Sequence, residues 1–342
     1  LSLIPTLRSF LLSFLPSLSF RLHSFSIYRI PLFSSLSLSF LQMLVSSSSA
    51  FPLEKASYPK SATVSDSKGT IVARDYIVKL SNNYAYAILG EQSAVIKNKT
   101  IRVAHENEDS TNLKLVSIEN EREDRRLLPV YVQFHYHPKE RFADSHTLDF
   151  LAERVLGRQN LELKKNVTID LFEIPSHTRD ESGFVVADKL QFVYESFNVP
   201  NLRNQLAPSK DAAIARFSSA DLEELIDYDH SVSGFDRSAY LEEMTAHTSC
   251  FIARQEGSMV GVLFGREGRV FSLFGDTRPI ADSLLDSFLS TLSSTTVSLF
   301  SPAGHFKGSL TSRPVFRRHS RVVPSAIDWN RIYAHNAGMN IV

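Results

Sequence analysis

The chain has 342 residues with 37 basic and 37 acidic side chains, so its formal net charge is zero. That balance excludes the broad positive field of a dedicated nucleic-acid binder, and a hydrophobic content of 43% is enough for well-formed cores. The lone cysteine, Cys250, excludes an internal disulfide framework and a cysteine-built zinc site; in the apolar run SCFIA it reads as a buried structural thiol.

The first methionine is Met43, and residues 1–42 consist very largely of Leu, Ser, Phe and Pro. All four have pyrimidine-rich codons, so the stretch reads as a translated pyrimidine tract with the start at Met43. A transit peptide, with a mitochondrial destination, is the competing reading, because Arg8, Arg21 and Arg29 lie in Ser-rich sequence with no acid before Glu54. Serines interrupt every apolar run, so no membrane span is expected. Residues 43–68 are rich in Ser, Lys and Pro and read as a flexible lead-in. Nothing after Met43 resembles a secretion signal. The sequons at Asn98 and Asn166 are therefore expected to stay unmodified, in a protein of the cytoplasm.

From Thr70 the composition becomes that of strands: TIVARDYIVKL (70–80), YAYAILG (84–90), NLKLVSIE (112–119) and PVYVQFHY (129–136), with the charged NEREDRR (120–126) as a solvated loop. Leu148, Leu151, Ala152, Val155 and Leu156 recur on one face at helical spacing, which predicts a helix capped by Ser145. NVTIDLF (166–172) and LQFVYESF (190–197) read as strands. The segment NVPNLRNQLAPSK (198–210) carries two prolines and reads as a linker between a first half, 69–197, and a second, 211–342. The second half opens with a strand at Ala212–Phe217. Ser218 and Asp221 then form a capping-box pattern ahead of Leu222, Leu225 and Ile226. A short helix is predicted from Asp236. Strands follow at SCFIAR (249–254), MVGVLFGR (259–266) and RVFSLF (269–274), joined by tight EGS and EG turns. Ile280, Leu284, Leu285, Phe288, Leu289 and Leu292 mark an amphipathic helix beginning at Pro279, and TTVSLF (295–300) is the next strand. The halves share an order of meander, strand, helix and strand, with Val130–Phe172 answering to Arg269–Phe300.

Two clusters carry no chemistry on this reading. His135 and His137 alternate onto one face without a third ligand, so no metal site is expected. The basic run of Arg317, Arg318, His319 and Arg321 reads as solvated.

GFDRSAYL (234–241), the β-meander, FGDTRPIADSLL (274–285) and the strand after it resemble, in that order, an acetyltransferase of the GNAT superfamily, specifically its YitH-like type with tandem halves. The resemblance covers the second half. It implies an α/β (mixed α+β) fold of two GNAT-like halves, each a twisted mixed sheet flanked by helices, with two parallel strands splayed to seat acetyl-CoA as cosubstrate. The implied cofactor residues are the strand Ser272, Leu273 and Phe274 and the turn Gly275, Asp276, Thr277, Arg278, Pro279 and Ile280, where helix-terminal amides favour an anion. Gly275 would allow close approach and Arg278 would add charge, whereas Asp276 puts a carboxylate in the phosphate cradle. The first-half turn HPKERFADSHT (137–147) has bulk and an acid in that place and is expected to have lost CoA binding.

The resemblance sets Asp236, Arg237 and Tyr240 on the acceptor side of the cleft, where a carboxylate would hold a cationic amine. The residues alone also allow Asp236 as a helix cap, Gly234 as a turn and Tyr240 as part of a buried face. The implied activity is an acetyl-CoA-dependent N-acyltransferase acting on a small amine or amino-acid-like acceptor, with no metal, nucleic acid or membrane involved. No catalytic residue identifies itself. The stretch after Phe300, where relatives carry a tyrosine, has none, and His305 and Tyr333 read as a loop histidine and a structural tyrosine. The alternative is a catalytically inactive GNAT-fold protein that binds a ligand or partner, with a homodimer through the first-half sheet among its forms.

Overall fold

The computed structural model describes residues 60–97, 99–106, 111–119, 140–157, 165–174 and 183–335, all within one compact unit, 42–342. The leader, the loop at 120–126, the strand at 129–136 and the pair His135 and His137 lie outside these residues.

Strands β1 (Lys60–Ser65), β2 (Ile71–Lys79) and β3 (Tyr84–Gln92) form an antiparallel meander. β1 falls in the expected lead-in. Ala62 and Val64 alternate inward and are fully buried, but two apolar positions among polar neighbours give little sequence signal. β4 (Thr100–His105) and β5 (Asn112–Glu119) pair antiparallel, β5 joins β1 in parallel, and β6 (Glu140–Phe142) adds to β4. Helix α1 (Ala143–Leu156) buries Leu148, Leu151, Ala152 and Leu156 together with residues of β1, β2 and β3, while Ser145 lies inside its first turn rather than capping it. β7 (Asn166–Leu171) runs parallel to β3. The correspondence between halves is corrected accordingly. The parallel partner of β7 is β3, so Tyr84–Leu171 answers to Arg269–Phe300, with β4, β5 and β6 inserted between strand and helix.

β8 (Val186–Ala187) and β9 (Phe192–Asn198) follow. The expected linker 198–210 opens with a short helix, α2 (Val199–Arg203), because the Asn198 side chain accepts from the Asn201 N–H and Pro200 sits in the first turn, where its missing donor costs nothing. β10 (Ala213–Arg216) leads to the expected capping box, in which Asp221 accepts from both the Ser218 N–H and hydroxyl, and then to α3 (Leu222–Ser233) and α4 (Ser238–His247). The meander β11 (Ser249–Gln255), β12 (Ser258–Arg266) and β13 (Arg269–Gly275) turns at Glu256–Gly257 and Glu267–Gly268. All four residues have positive φ, the conformation that matches the twist of a tight hairpin. Helix α5 (Arg278–Leu289), β14 (Thr296–Pro302), β15 (Thr311–His319) and β16 (Ile332–Ala334) complete the chain.

The strands join in one mixed sheet in the order β10-β11-β12-β13-β14-β9-β15-β7-β3-β2-β1-β5-β4-β6, flanked by helices, so the mixed α+β class holds. Its seam is β15. Residues Thr311–Val315 pair with β9, which pairs in turn with β14, and Phe316–His319 pair with β7. Strands on each side of the 198–210 segment thus complete the sheet on the other side. The helices α3 and α4 bury Leu225, Tyr228, Val232, Tyr240, Leu241 and Met244 in a core shared by Tyr76, Val78, Tyr84 and Tyr86 of β2 and β3 and by Cys250, Val262, Phe271 and Phe274 of the second meander. Among the described residues no helix is long and apolar enough to cross a membrane.

The basic run on β15 is not solvated. Alternation turns Arg317 and His319 inward, where they are 4% and 1% exposed. Arg317 forms a two-pronged pair with Asp170 of β7, its Nε and Nη2 each 2.8 Å from a carboxylate oxygen, and Tyr86 donates to the same carboxylate. His319 Nε2 meets Asp188 at 3.0 Å and its Nδ1 meets the Thr168 hydroxyl at 2.6 Å; that hydroxyl also accepts from Tyr84, whose phenol burial pushes up to about 12. The sequon residue Asn166 is likewise committed, donating to Val322 O and accepting from the Arg321 and Val322 N–H groups.

Removing one member of a buried pair strands the other's charge. Arg317→Ala is expected to lower unfolding stability by about 3–5 kcal/mol in urea titrations, and Arg317→Met with Asp170→Leu to recover most of it. Burial pushes the Cys250 thiol well up, with the Asp221 charge adding to the effect. The expected outcome is that a thiol reagent leaves Cys250 unmodified in the native chain at neutral pH and labels it in urea.

Candidate functional site

β13 and β14 run parallel and are paired at one position, Arg269 with Ser298, where the Ser298 N–H donates to Gly268 O at 2.8 Å. Beyond it they part. The gap holds β16, which pairs antiparallel with β13 through Leu273–Ala334 and Phe274–Ile332, while the His335 N–H donates to Phe300 O of β14 at 2.9 Å. Ile332 and Ala334 are fully buried, and Tyr333 nearly so. Ser272, Leu273 and Phe274 therefore stand between β12 on one edge and the β16 region on the other.

At the end of β13, Gly275 is needed for a close approach. A Cβ there would lie 3.0 Å from the Ala281 backbone nitrogen, so α5 packs directly on the strand end. The Asp276 N–H donates to Val260 O. Its carboxylate pairs with Arg331, at 2.6 Å to Nη2 and 2.8 Å to Nε, and accepts from the Tyr228 hydroxyl at 3.2 Å. The acid that reads as an obstacle to phosphate is thus matched by a cation from the segment leading into β16. Thr277 is the N-cap of α5 in extended conformation, Pro279 occupies the first turn, and Ile280 is buried. Arg278 Nε bonds Asp282 at 2.7 Å, its Nη1 donates to His305 O at 2.7 Å, and its guanidinium lies over the rings of Phe306 and Tyr333. His305 sits 5.3 Å from the Tyr333 ring, and burial, then the Arg278 charge, hold its imidazole below its ordinary range.

The GFDRSAYL segment joins α3 to α4. Gly234 ends α3 with φ +73, and a Cβ on it would come within 2.5 Å of Ala326 Cβ, so both conformation and space require glycine. Asp236 is exposed and accepts from the Ser238 N–H at 3.1 Å; that bond and one from the Ser238 side chain hold its carboxyl below the usual range. Arg237 is 4% exposed. Its Nε and Nη2 bond Asp229 at 2.9 and 2.6 Å, and its guanidinium lies over the rings of Tyr240 and Phe274. Tyr240 is buried, its hydroxyl 3.4 Å from Ser272 Oγ. A shallow depression opens between Val78–Leu80 at the end of β2 and Asp236–Tyr240 at the start of α4.

Of the residues singled out from sequence, Ser272 to Ile280 share one strand-to-helix corner, and Asp236, Arg237 and Tyr240 line one depression. Tyr240 and Ser272 link the two places through the core. Three residues escaped notice. Asp229 falls on the apolar stripe of α3 with Leu225, Tyr228 and Val232, a spacing that flags a buried acid. Arg331 and His335 lie in a stretch with no periodicity, and their partners are set by distant strands. Chemically, the corner holds a helix N-terminus and a charge-matched Asp–Arg pair, with its strand edges taken by β12 and β16, while the depression offers one ionised carboxylate at its rim.

A family model described as a domain of unknown function (DUF7596) matches residues 43–186. No curated protein matches the chain. Among solved structures the chain is similar to a candidate acetyltransferase from Pyrococcus horikoshii, at 15% identity and a TM-score of 0.43, covering 79% of this chain and 76% of that one. It is also similar to a GCN5-related N-acetyltransferase from Sphaerobacter thermophilus, at 10% identity and a TM-score of 0.41, covering 76% and 81%. A third likeness is to a GCN5-related N-acetyltransferase from Kribbella flavida, at 14% identity and a TM-score of 0.39, covering 72% and 57%. With TM-scores below 0.5, none of the three bears on the chemistry of the site, which rests on the geometry above.

Proposed function

We propose that the chain is an acyl-CoA-dependent N-acyltransferase of the GNAT type, built of two GNAT-like halves, with the acetyl-CoA slot in the second and a small amine or amino-acid-like molecule as acceptor. The split between β13 and β14 carries this reading: a parallel pair that joins at one position and parts, with a helix leading off the strand end across Gly275. The first half has no such gap at its matching pair, because β3 and β7 stay paired from Tyr84–Asn166 to Ala87–Ile169.

The residues in the split do not fit acyl-CoA together with β16. Leu273 and Phe274 already have a neighbour on the edge a pantetheine arm would take, and Arg278 is turned toward Asp282 and His305. The acyl-CoA-competent form is one from which β16 has withdrawn. On this reading Asp236 holds a cationic acceptor from the rim of the depression, while Arg237 and Tyr240 form its wall. A second reading, a catalytically inactive GNAT-fold protein that binds a ligand or partner, is favoured by the filled split and the Asp276–Arg331 pair.

Calorimetric titration of acetyl-CoA and CoA into the full chain separates the two. Acyl-CoA binding is expected to tighten about tenfold in Asp276→Gly, which frees Arg331 for phosphate, and to weaken about tenfold in Arg331→Ala, which leaves the acid unmatched. If neither ligand binds the wild type or Asp276→Gly at millimolar concentration, at neutral or at mildly acid pH, the acyltransferase reading fails and the second stands.

A further inference from the structure

The residue that follows β16 has a role that the acyltransferase reading does not use. His335 is 1% exposed, its Nε2 lies 3.1 Å from Arg317 Nη2, and its Nδ1 has no hydrogen-bond partner. The rings of Phe300, Phe192 and Trp329 enclose it at centroid distances of 4.2, 5.3 and 5.5 Å. A guanidinium only donates, so Nε2 accepts, the ring proton sits on Nδ1, and the imidazole is neutral. A second proton would set an N–H against the N–H of Arg317 inside an apolar enclosure. Arg317 is not free to turn away, because Asp170 grips it at two points and it lies over the rings of Phe192 and Trp329.

We propose that β16 is a releasable plug of the split, held by the neutral His335 ring against Arg317 and let go when that ring takes up a proton. The acyltransferase reading enters only in naming what fills the vacated split. Release itself stands on the geometry of His335.

The charged and titratable groups around the ring act together. Arg317 faces it from β15, with the Asp170 carboxylate of β7 behind the guanidinium and the Tyr86 phenol of β3 bonded to that carboxylate. Arg237, ahead of α4, and His305, in the loop after β14, add repulsion, while β9, β14 and the turn at Trp329 present aromatic rings. Burial first, then Arg317, Arg237 and His305, hold the imidazole well below its ordinary 6.5. A released ring titrates near that ordinary value and binds the proton that the seated ring refuses. The plug is therefore firm above about pH 6.5, and its seating weakens by up to about tenfold per pH unit below, until the seated ring itself protonates. Against that weakening stand, among the described residues, two residue pairs on β13, one bridge to β14, the burial of Ile332, Tyr333 and Ala334, the contacts of Arg278 and His305 on the Tyr333 ring, and the Arg331–Asp276 pair just ahead of the strand.

Trp329 is the single tryptophan of the chain and lies against His335, so it reports the plug directly. Acrylamide access to Trp329 in the full chain is to be followed from about pH 8 to about pH 5 beside far-UV circular dichroism, in wild type and His335→Gln. Access is the chosen readout because a ring protonated in place quenches emission without admitting acrylamide. The expected result is a reversible rise below about pH 6.5 in wild type at constant secondary structure, absent in His335→Gln. An equal rise in both, or none in wild type, overturns the proposal. If His335→Gln does not fold, amide exchange at residues 332–335 of the wild type, corrected for intrinsic rates, decides: protection lost only at the lower pH supports the plug, and unchanged protection overturns it. CoA titrated at the two ends of the range separates the plug from the activity. Binding about tenfold or more tighter at the acid end supports both. Trp329 release without CoA binding keeps the plug and sinks the acyltransferase reading. Equal CoA binding at both ends with Trp329 shielded does the reverse.

Discussion

The two-pronged pair between Asp170 and Arg317 is the contact on which the arrangement turns. It joins β7 to β15 at the seam where strands from the two parts of the chain meet in one sheet. A buried pair of this kind adds little net stability, since desolvation offsets most of the attraction. What it adds is register. Sliding β15 by one residue would turn Arg317 and His319 outward and break their contacts to Asp170 and Asp188 together. The same guanidinium reaches His335, so the residue that aligns the seam also fixes the end of the strand in the split.

The two halves differ in one physical respect, the pairing of their parallel strands. Each has a three-stranded meander, a helix and a strand parallel to the third strand of the meander. In the first, that parallel pair is zipped over four positions, and α1 covers it with Leu148, Leu151 and Ala152. In the second the pair opens after a single position and exposes the edge of Leu273 and Phe274 to whatever strand-like partner lies there. An unpaired buried edge is costly, so the opening must be filled by something that offers backbone hydrogen bonds. β16 meets that demand from within the chain.

Much of this layout was legible in the sequence because it is local. Strand composition located β2, β3, β7 and the second meander, apolar spacing located α1 and α5, and the Ser218–Asp221 box marked the approach to α3. The corner from Ser272 to Ile280 was found for the same reason, since a strand, a glycine turn and a helix with proline in its first turn are neighbours in sequence. What was not legible depends on partners far along the chain. The basic run of β15 has the composition of a solvated strand, and only Asp170 and Asp188 on distant segments make Arg317 and His319 interior residues. β16 has three residues, too few for any period to show, and its neighbours on either side are set by the split itself. Arg331 meets Asp276 across 55 residues, a pairing that local pattern does not reveal.

The seam also bears on how the protein is made. Asp170 and Arg317 are 147 residues apart, and until β15 emerges β7 lacks the neighbour on its outer edge. At ordinary rates of synthesis that interval lasts roughly 7–30 s. Through it the first meander and α1 are already present, but their sheet ends in an open edge strand of the kind that recruits other chains. A ribosome that pauses between Leu171 and Thr311 prolongs that exposure. The last strands of this chain thus act as the closing stitch for the first, and a message cut short before them yields a sheet with an unsealed border rather than a working half.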